Sequence, residues 1–148
     1  MKSIRRLYFY LVAFISIEVV LWGLVGLLRS VVDATISRGA DALAQALALI
    51  LVGVPIFLVH WLWAQRAAAH DEEEKTATLR AVFFYAILFG TLIPVVQNLL
   101  SFLDRALIQL AGLKIAYAFS AFRQQTLEDN LIAILMNGIV AFYFWRTL

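Results

Sequence analysis

Four long apolar stretches, separated by charged or turn-forming segments, restrict this chain to one kind of fold. The first, Leu7–Leu28, holds 22 residues and one charge, Glu18. The second and third, Ala42–Ala64 and Ala81–Leu103, hold no charged residue. The fourth apolar run, Leu131–Trp145, is shorter. Thr126 and Asp129 resemble a capping box, which predicts that its helix begins near Leu127. At about 1.5 Å per residue the first stretch covers roughly 33 Å, enough to cross a hydrocarbon core of about 30 Å.

Composition points the same way. The chain has 148 residues, 64% hydrophobic and 15% charged. Soluble domains lie nearer 45–50% apolar and about 25% charged. A small soluble domain must turn part of its surface to water, so it could not hide this much apolar area. The expected fold is an all-α membrane protein, a bundle of four transmembrane helices over about 7–28, 42–64, 81–103 and 127–146. Lys2, Arg5 and Arg6 precede the first stretch as in a signal peptide, but no small-residue cleavage site follows, so it reads as a retained span.

The chain repeats itself. Ile4-Arg5-Arg6-Leu7-Tyr8-Phe9-Tyr10 is similar to Leu79-Arg80-Ala81-Val82-Phe83-Phe84-Tyr85, and Val59-His60-Trp61 falls on Tyr143-Phe144-Trp145. One unit covers 4–70 and the other 71–148, each holding two spans. An even number of spans returns the chain to its starting side, so the two helical hairpins form a parallel repeat. Seven basic residues lie on the side of the termini and five on the other. That bias puts both termini in the cytoplasm, with the protein in a bacterial cytoplasmic membrane. Tyr8, Tyr10, Trp61, Trp63, Tyr85, Tyr143 and Trp145 gather toward the terminal side as an aromatic belt would.

Two connecting segments stand out. His70-Asp71-Glu72-Glu73-Glu74-Lys75 has the acidic residues of a helix first turn, so the third helix is expected to start there. Ser101–Gln125 is too long for a tight turn, and Ile115, Tyr117 and Phe119 alternate with small residues. It is expected to be a strand-like or interfacial piece on the membrane surface, with helix and strand both open readings and partner docking a further one.

Arg5-Arg6-Leu7-Tyr8-Phe9-Tyr10-Leu11, Leu51-Val52-Gly53-Val54-Pro55, His60-Trp61 and Gln65-Arg66 together resemble the bacterial family DUF5671, a repeated two-helix membrane unit. In the second unit Phe144 stands at the histidine place and Ile139 at the proline place. The resemblance implies a helical membrane protein and no particular chemistry.

Polar residues inside the spans are the candidates for function. Glu18 lies mid-span, and an ionised carboxylate there costs about 2.5–3.5 kcal/mol on insertion scales. It must face protein, pair, or be protonated, and Gln97 and Asn98 are the expected partners. A proton relay or ion site and a structural hydrogen bond are both open readings. His60, with Trp61 and Trp63, is an interfacial candidate. The only other histidine, His70, lies ten residues on in the polar loop at a different depth, so the pair is poorly placed for haem, and no metal or other cofactor is expected. Arg29, Asp33, Asp104 and Arg105 lie at matching helix ends and are expected to cross-pair. Without cysteine there is no disulfide, thiolate site or cysteine nucleophile, and no basic patch suits nucleic acid.

With no catalytic motif in sight, the chain reads as a structural or accessory subunit that meets the lipid bilayer and either other membrane subunits or itself. The alternative is a small proton- or ion-coupled transporter or channel using Glu18. Small multidrug resistance transporters also have four spans with a glutamate in the first, and Ile17-Glu18-Val19 resembles theirs. The long Ser101–Gln125 segment and the parallel repeat depart from that pattern.

Overall fold

A computed structural model describes residues 2–32, 39–70, 78–112 and 125–148. It contains four helices: α1 (Lys2–Val32), α2 (Gly39–His70), α3 (Thr78–Leu110) and α4 (Leu127–Thr147). Each is long and apolar enough to cross a membrane. The first three, of 31, 32 and 33 residues, are about 46–50 Å long, so their ends project beyond a core of roughly 30 Å. With 21 residues, α4 is just long enough to span it. Pro55 and Pro94 lie inside α2 and α3. Membrane helices accept such prolines because neighbouring groups can satisfy the released carbonyls.

The helices run alternately up and down. Packing is most extensive between α1 and α2 and between α3 and α4, and α1 also packs on α3 and α4. Small residues make the α1–α2 approach possible, since close van der Waals packing holds membrane helices together. A methyl group at Gly53 would stand 2.7 Å from Val20 Cγ2, and one at Gly23 would stand 2.9 Å from Ile50 Cγ1 and 3.1 Å from the Ala46 carbonyl oxygen.

The half of the bundle nearer the termini is packed with rings. Trp61 of α2, Phe83 and Phe84 of α3, and Phe144 of α4 are all buried, and Tyr10 and Ala13 of α1 close the cluster. Trp61 stacks with Phe83 at 5.6 Å and meets Phe144 edge-on at 5.2 Å. Its indole N–H donates to the Tyr143 hydroxyl at 3.2 Å. Two residues assigned to an aromatic belt, Tyr10 and Trp61, therefore turn inward instead. Tyr8, Trp63, Tyr85, Tyr143 and Trp145 remain at least half as exposed as free side chains or close to it.

The first three helices run past the expected spans at both ends, and the largest extension is at the end of α3. Rather than ending near Leu103, α3 continues to Leu110, so the first part of the Ser101–Gln125 segment, open between helix and strand, is helical. Residues 101–110 are mostly good helix formers, and nothing stops them before Gly112, whose φ of 65° suits a residue lacking Cβ. The Ile115–Phe119 alternation, Asp33 and the acidic run at 71–75 lie outside the described residues. At the start of α4, Thr126 Oγ1 accepts from the Asp129 N–H and Asp129 Oδ2 accepts from the Thr126 N–H, each at 3.1 Å.

The α1–α2 contact can be tested by adding bulk. Gly53→Val should lower stability in detergent by about 1–3 kcal/mol, because Val20 must move. Gly138→Ala, with nothing within 4 Å of the added methyl, should leave the unfolding midpoint unchanged or slightly higher.

Candidate functional site

Above the aromatic cluster the interior becomes polar, and α1 supplies the turning point. Glu18 sits at the middle of α1 and faces α3 at Gly90. A methyl group at Gly90 would stand 2.5 Å from Glu18 Oε1 and 3.2 Å from its Cδ, so the missing side chain is what admits the carboxyl. Four residues on, Pro94 lacks the N–H that would bond the Gly90 carbonyl. The carboxyl thus packs against the turn of α3 where the backbone lacks a donor. Glu18 Oε1 is itself buried with no hydrogen-bond partner among the described residues. A neutral carboxylic acid has an O–H to offer here, and a carboxylate has none.

Neither expected partner meets Glu18. Gln97 lies on the outer face of α3, beside Phe89 and Trp145, and its carbonyl accepts from Ser101 Oγ at 2.9 Å. Asn98 points inward, but its Nδ2 donates to the Pro94 carbonyl at 2.8 Å. The reason is pitch: positions 97 and 98 lie about 10–12 Å along α3 from Gly90. Other polar groups in the spans bond their own helix, as Thr91 Oγ1 does to the Ile87 carbonyl and Ser16 Oγ to that of Val12.

Between α1, α3 and α4 lies a cavity of about 300 Å³. Leu21, Pro94 and Asn137 form its inner wall, and Asn98, Ala133 and Arg29 line it toward the loop end. Asn98 Oδ1 is buried without a partner among the described residues, and so are both amide atoms of the fully buried Asn130.

At the loop end Arg29 binds Asp129. Its Nε and Nη2 donate to the Asp129 carbonyl at 3.3 and 2.9 Å, and Nε lies 3.6 Å from Oδ1. The cross-pairing expected between α1 and α3 thus runs from α1 to α4 instead. Asp129 is only 2% exposed. The cap that starts α4 holds its carboxylate against the bundle, where it meets the guanidinium. Asp104 is exposed.

At the terminal end, His60 is partly buried, its Nδ1 lies 2.7 Å from the Ile56 carbonyl oxygen, and its ring contacts Tyr8 and Phe9. Trp63 stacks on Phe9 at 4.3 Å beneath the Arg5 guanidinium. Nothing in this arrangement gathers a second ligand beside His60 among the described residues. Sequence reasoning missed Gly90, Asn130 and the Arg29–Asp129 pair. The four-residue spacing of Gly90 and Pro94 was the available signal for the first.

Removing one member of a buried ion pair strands the other. Arg29→Ala should therefore cost about 3 kcal/mol in detergent unfolding, whereas Arg105→Ala should change stability by no more than about 0.5 kcal/mol.

Comparison with known proteins gives a family and nothing more specific. A family model described as a domain of unknown function, DUF5671, matches residues 6–139. No curated protein matches the chain, and no solved structure does. The match takes in all of α2 and α3, nearly all of α1 and more than half of α4, and with it the Glu18–Gly90 contact, the cavity and the Arg29–Asp129 pair, so the chain belongs to the DUF5671 family.

Proposed function

We propose that the protein is a non-catalytic membrane subunit that packs against a larger membrane complex or against further copies of itself. What carries this reading is α2. Only 11% of its most apolar stretch is buried within the chain, against 33% for that of α1. It is held mainly by α1, and its other faces present Leu43, Leu47, Leu51, Leu58 and Leu62 outward. Such a helix offers contact area without spending any of the interior. The ring cluster supports the same reading, because a packed terminal half leaves no path for a through-pore. Read as two parallel units with seven basic residues on the terminal side, the chain would lie in a bacterial cytoplasmic membrane with both termini inside.

The natural chain has no cysteine, so cysteines placed singly at Leu51 and Leu58 report contacts of α2 directly. Cross-linking in native membranes, followed by purification in mild detergent, should trap either a dimer or a stoichiometric partner chain. A monodisperse monomer with no cross-link and no companion would remove this reading.

A second reading, a small proton- or ion-coupled transporter, is favoured by one observation: the unpartnered oxygen of Glu18 at the centre of the bundle. In liposomes holding the full chain under a pH gradient, proton flux should exceed that of empty liposomes and fall to background with Glu18→Gln. Equal flux in both proteins would take Glu18 out of the mechanism.

A further inference from the structure

The bundle is asymmetric along its length, and Glu18 stands where its character changes. Toward the termini, Ile17, Ile87 and the rings of Phe83, Phe84, Trp61 and Phe144 fill the interior, and none is more than 9% exposed. Toward the loops the cavity replaces them. Two residues of its inner wall fix its position. Leu21 is three residues from Glu18, and Pro94 is four from Gly90, so the floor lies one helical turn from the Glu18–Gly90 contact.

The cavity wall also states what should fill it. A polar atom left unpaired within a membrane is costly, and lipid tails offer it nothing. Asn98 Oδ1 lacks a protein partner among the described residues, and the neighbouring Asn137 spends its Nδ2 on the Ala133 carbonyl at 2.8 Å. Water is the small molecule that supplies both donors and acceptors. A volume of about 300 Å³ corresponds to roughly ten molecules at about 30 Å³ each.

We propose that this cleft is a one-sided aqueous vestibule through which protons reach Glu18 from the loop end alone. It shares with the transporter reading only the unpartnered Glu18 oxygen: it names the ion and its route, confines binding and release to one face, and requires no net transport. A hydronium in the vestibule gives its proton to the Glu18 carboxylate, leaving neutral acid and water, and release returns the proton along the same path. The ring cluster blocks the other direction, so binding and release share one face.

Among the described residues no competing titratable group sits at this depth. On α1 the nearest titratable side chains are Tyr10 and Arg29, and on α2 they are Asp41 and His60. On α3 they are Tyr85 and Asp104, and on α4 they are Asp129 and Tyr143. Among the described residues the charged side chain lining the vestibule is Arg29, at its loop end, and it is paired with Asp129.

The experiment again uses the absence of native cysteine. Single cysteines at Ala133 and Asn137 probe the vestibule, and cysteines at Ala13 and Ala141 probe the packed half. The full chain is reconstituted in liposomes and treated from each face with a charged, membrane-impermeant thiol reagent. Labelling is expected at 133 and 137 from the loop-end face, with loss of labelling at 13 and 141. Vestibule cysteines that label no faster than the packed ones, or that label from the terminal face, would overturn the proposal. Proton access is read separately by infrared spectroscopy, from the carboxylic C=O band that disappears in Glu18→Gln. That band should follow the pH of the loop-end solution; if it follows the other side, or neither, the proposal fails. Neither readout needs a transported substrate, so a closed vestibule and an absent transport activity give different results.

Discussion

Hydrocarbon offers no hydrogen-bond partner and no reward for moving a leucine from lipid to a neighbouring helix. Every contact in this bundle follows from that. Helices must hold together by shape, and α1 and α2 do so where Gly23 and Gly53 let the two backbones approach. Polar groups must be satisfied by protein or by enclosed water. Thr91 and Ser16 meet the requirement within their own helices, and the Arg29–Asp129 pair meets it between helices. Glu18 Oε1, Asn98 Oδ1 and the Asn130 amide do not meet it through any described residue, and Glu18 is the one ionisable side chain among these three.

The same constraint divides the molecule into halves. Aromatic rings fill space without asking for partners, and they occupy the half near the termini. Asparagines and an ion pair occupy the other half, where projecting helix ends bring water within reach. Glu18 is compatible with either side only at the boundary, with bare backbone opposite it.

Much of the architecture was legible in the chain. Hydropathy at spans of about 20 residues signals helices that cross a membrane, because the length of the apolar run and the thickness of the solvent agree. The Thr126–Asp129 spacing announced the start of α4, since a cap is a local interaction between residues three apart. What escaped was rotation and depth. Nothing local says that Trp61 faces inward while Trp63, two residues later, faces out, or that Arg29 meets Asp129 a hundred residues away. The continuation of α3 to Leu110 was missed for a different reason: hydropathy marks where lipid ends, not where a helix ends.

Asp129 holds three interactions at once. One carboxylate oxygen closes the first turn of α4, the other lies near the Arg29 guanidinium, and its carbonyl accepts from the same guanidinium. Fraying of that turn and separation of α1 from α4 are then a single event. Helix ends ordinarily loosen independently of the rest of a fold. Here the loop end of the bundle opens in one concerted step or stays shut, and its local unfolding free energy should be that of a tertiary contact and not of a loose terminus.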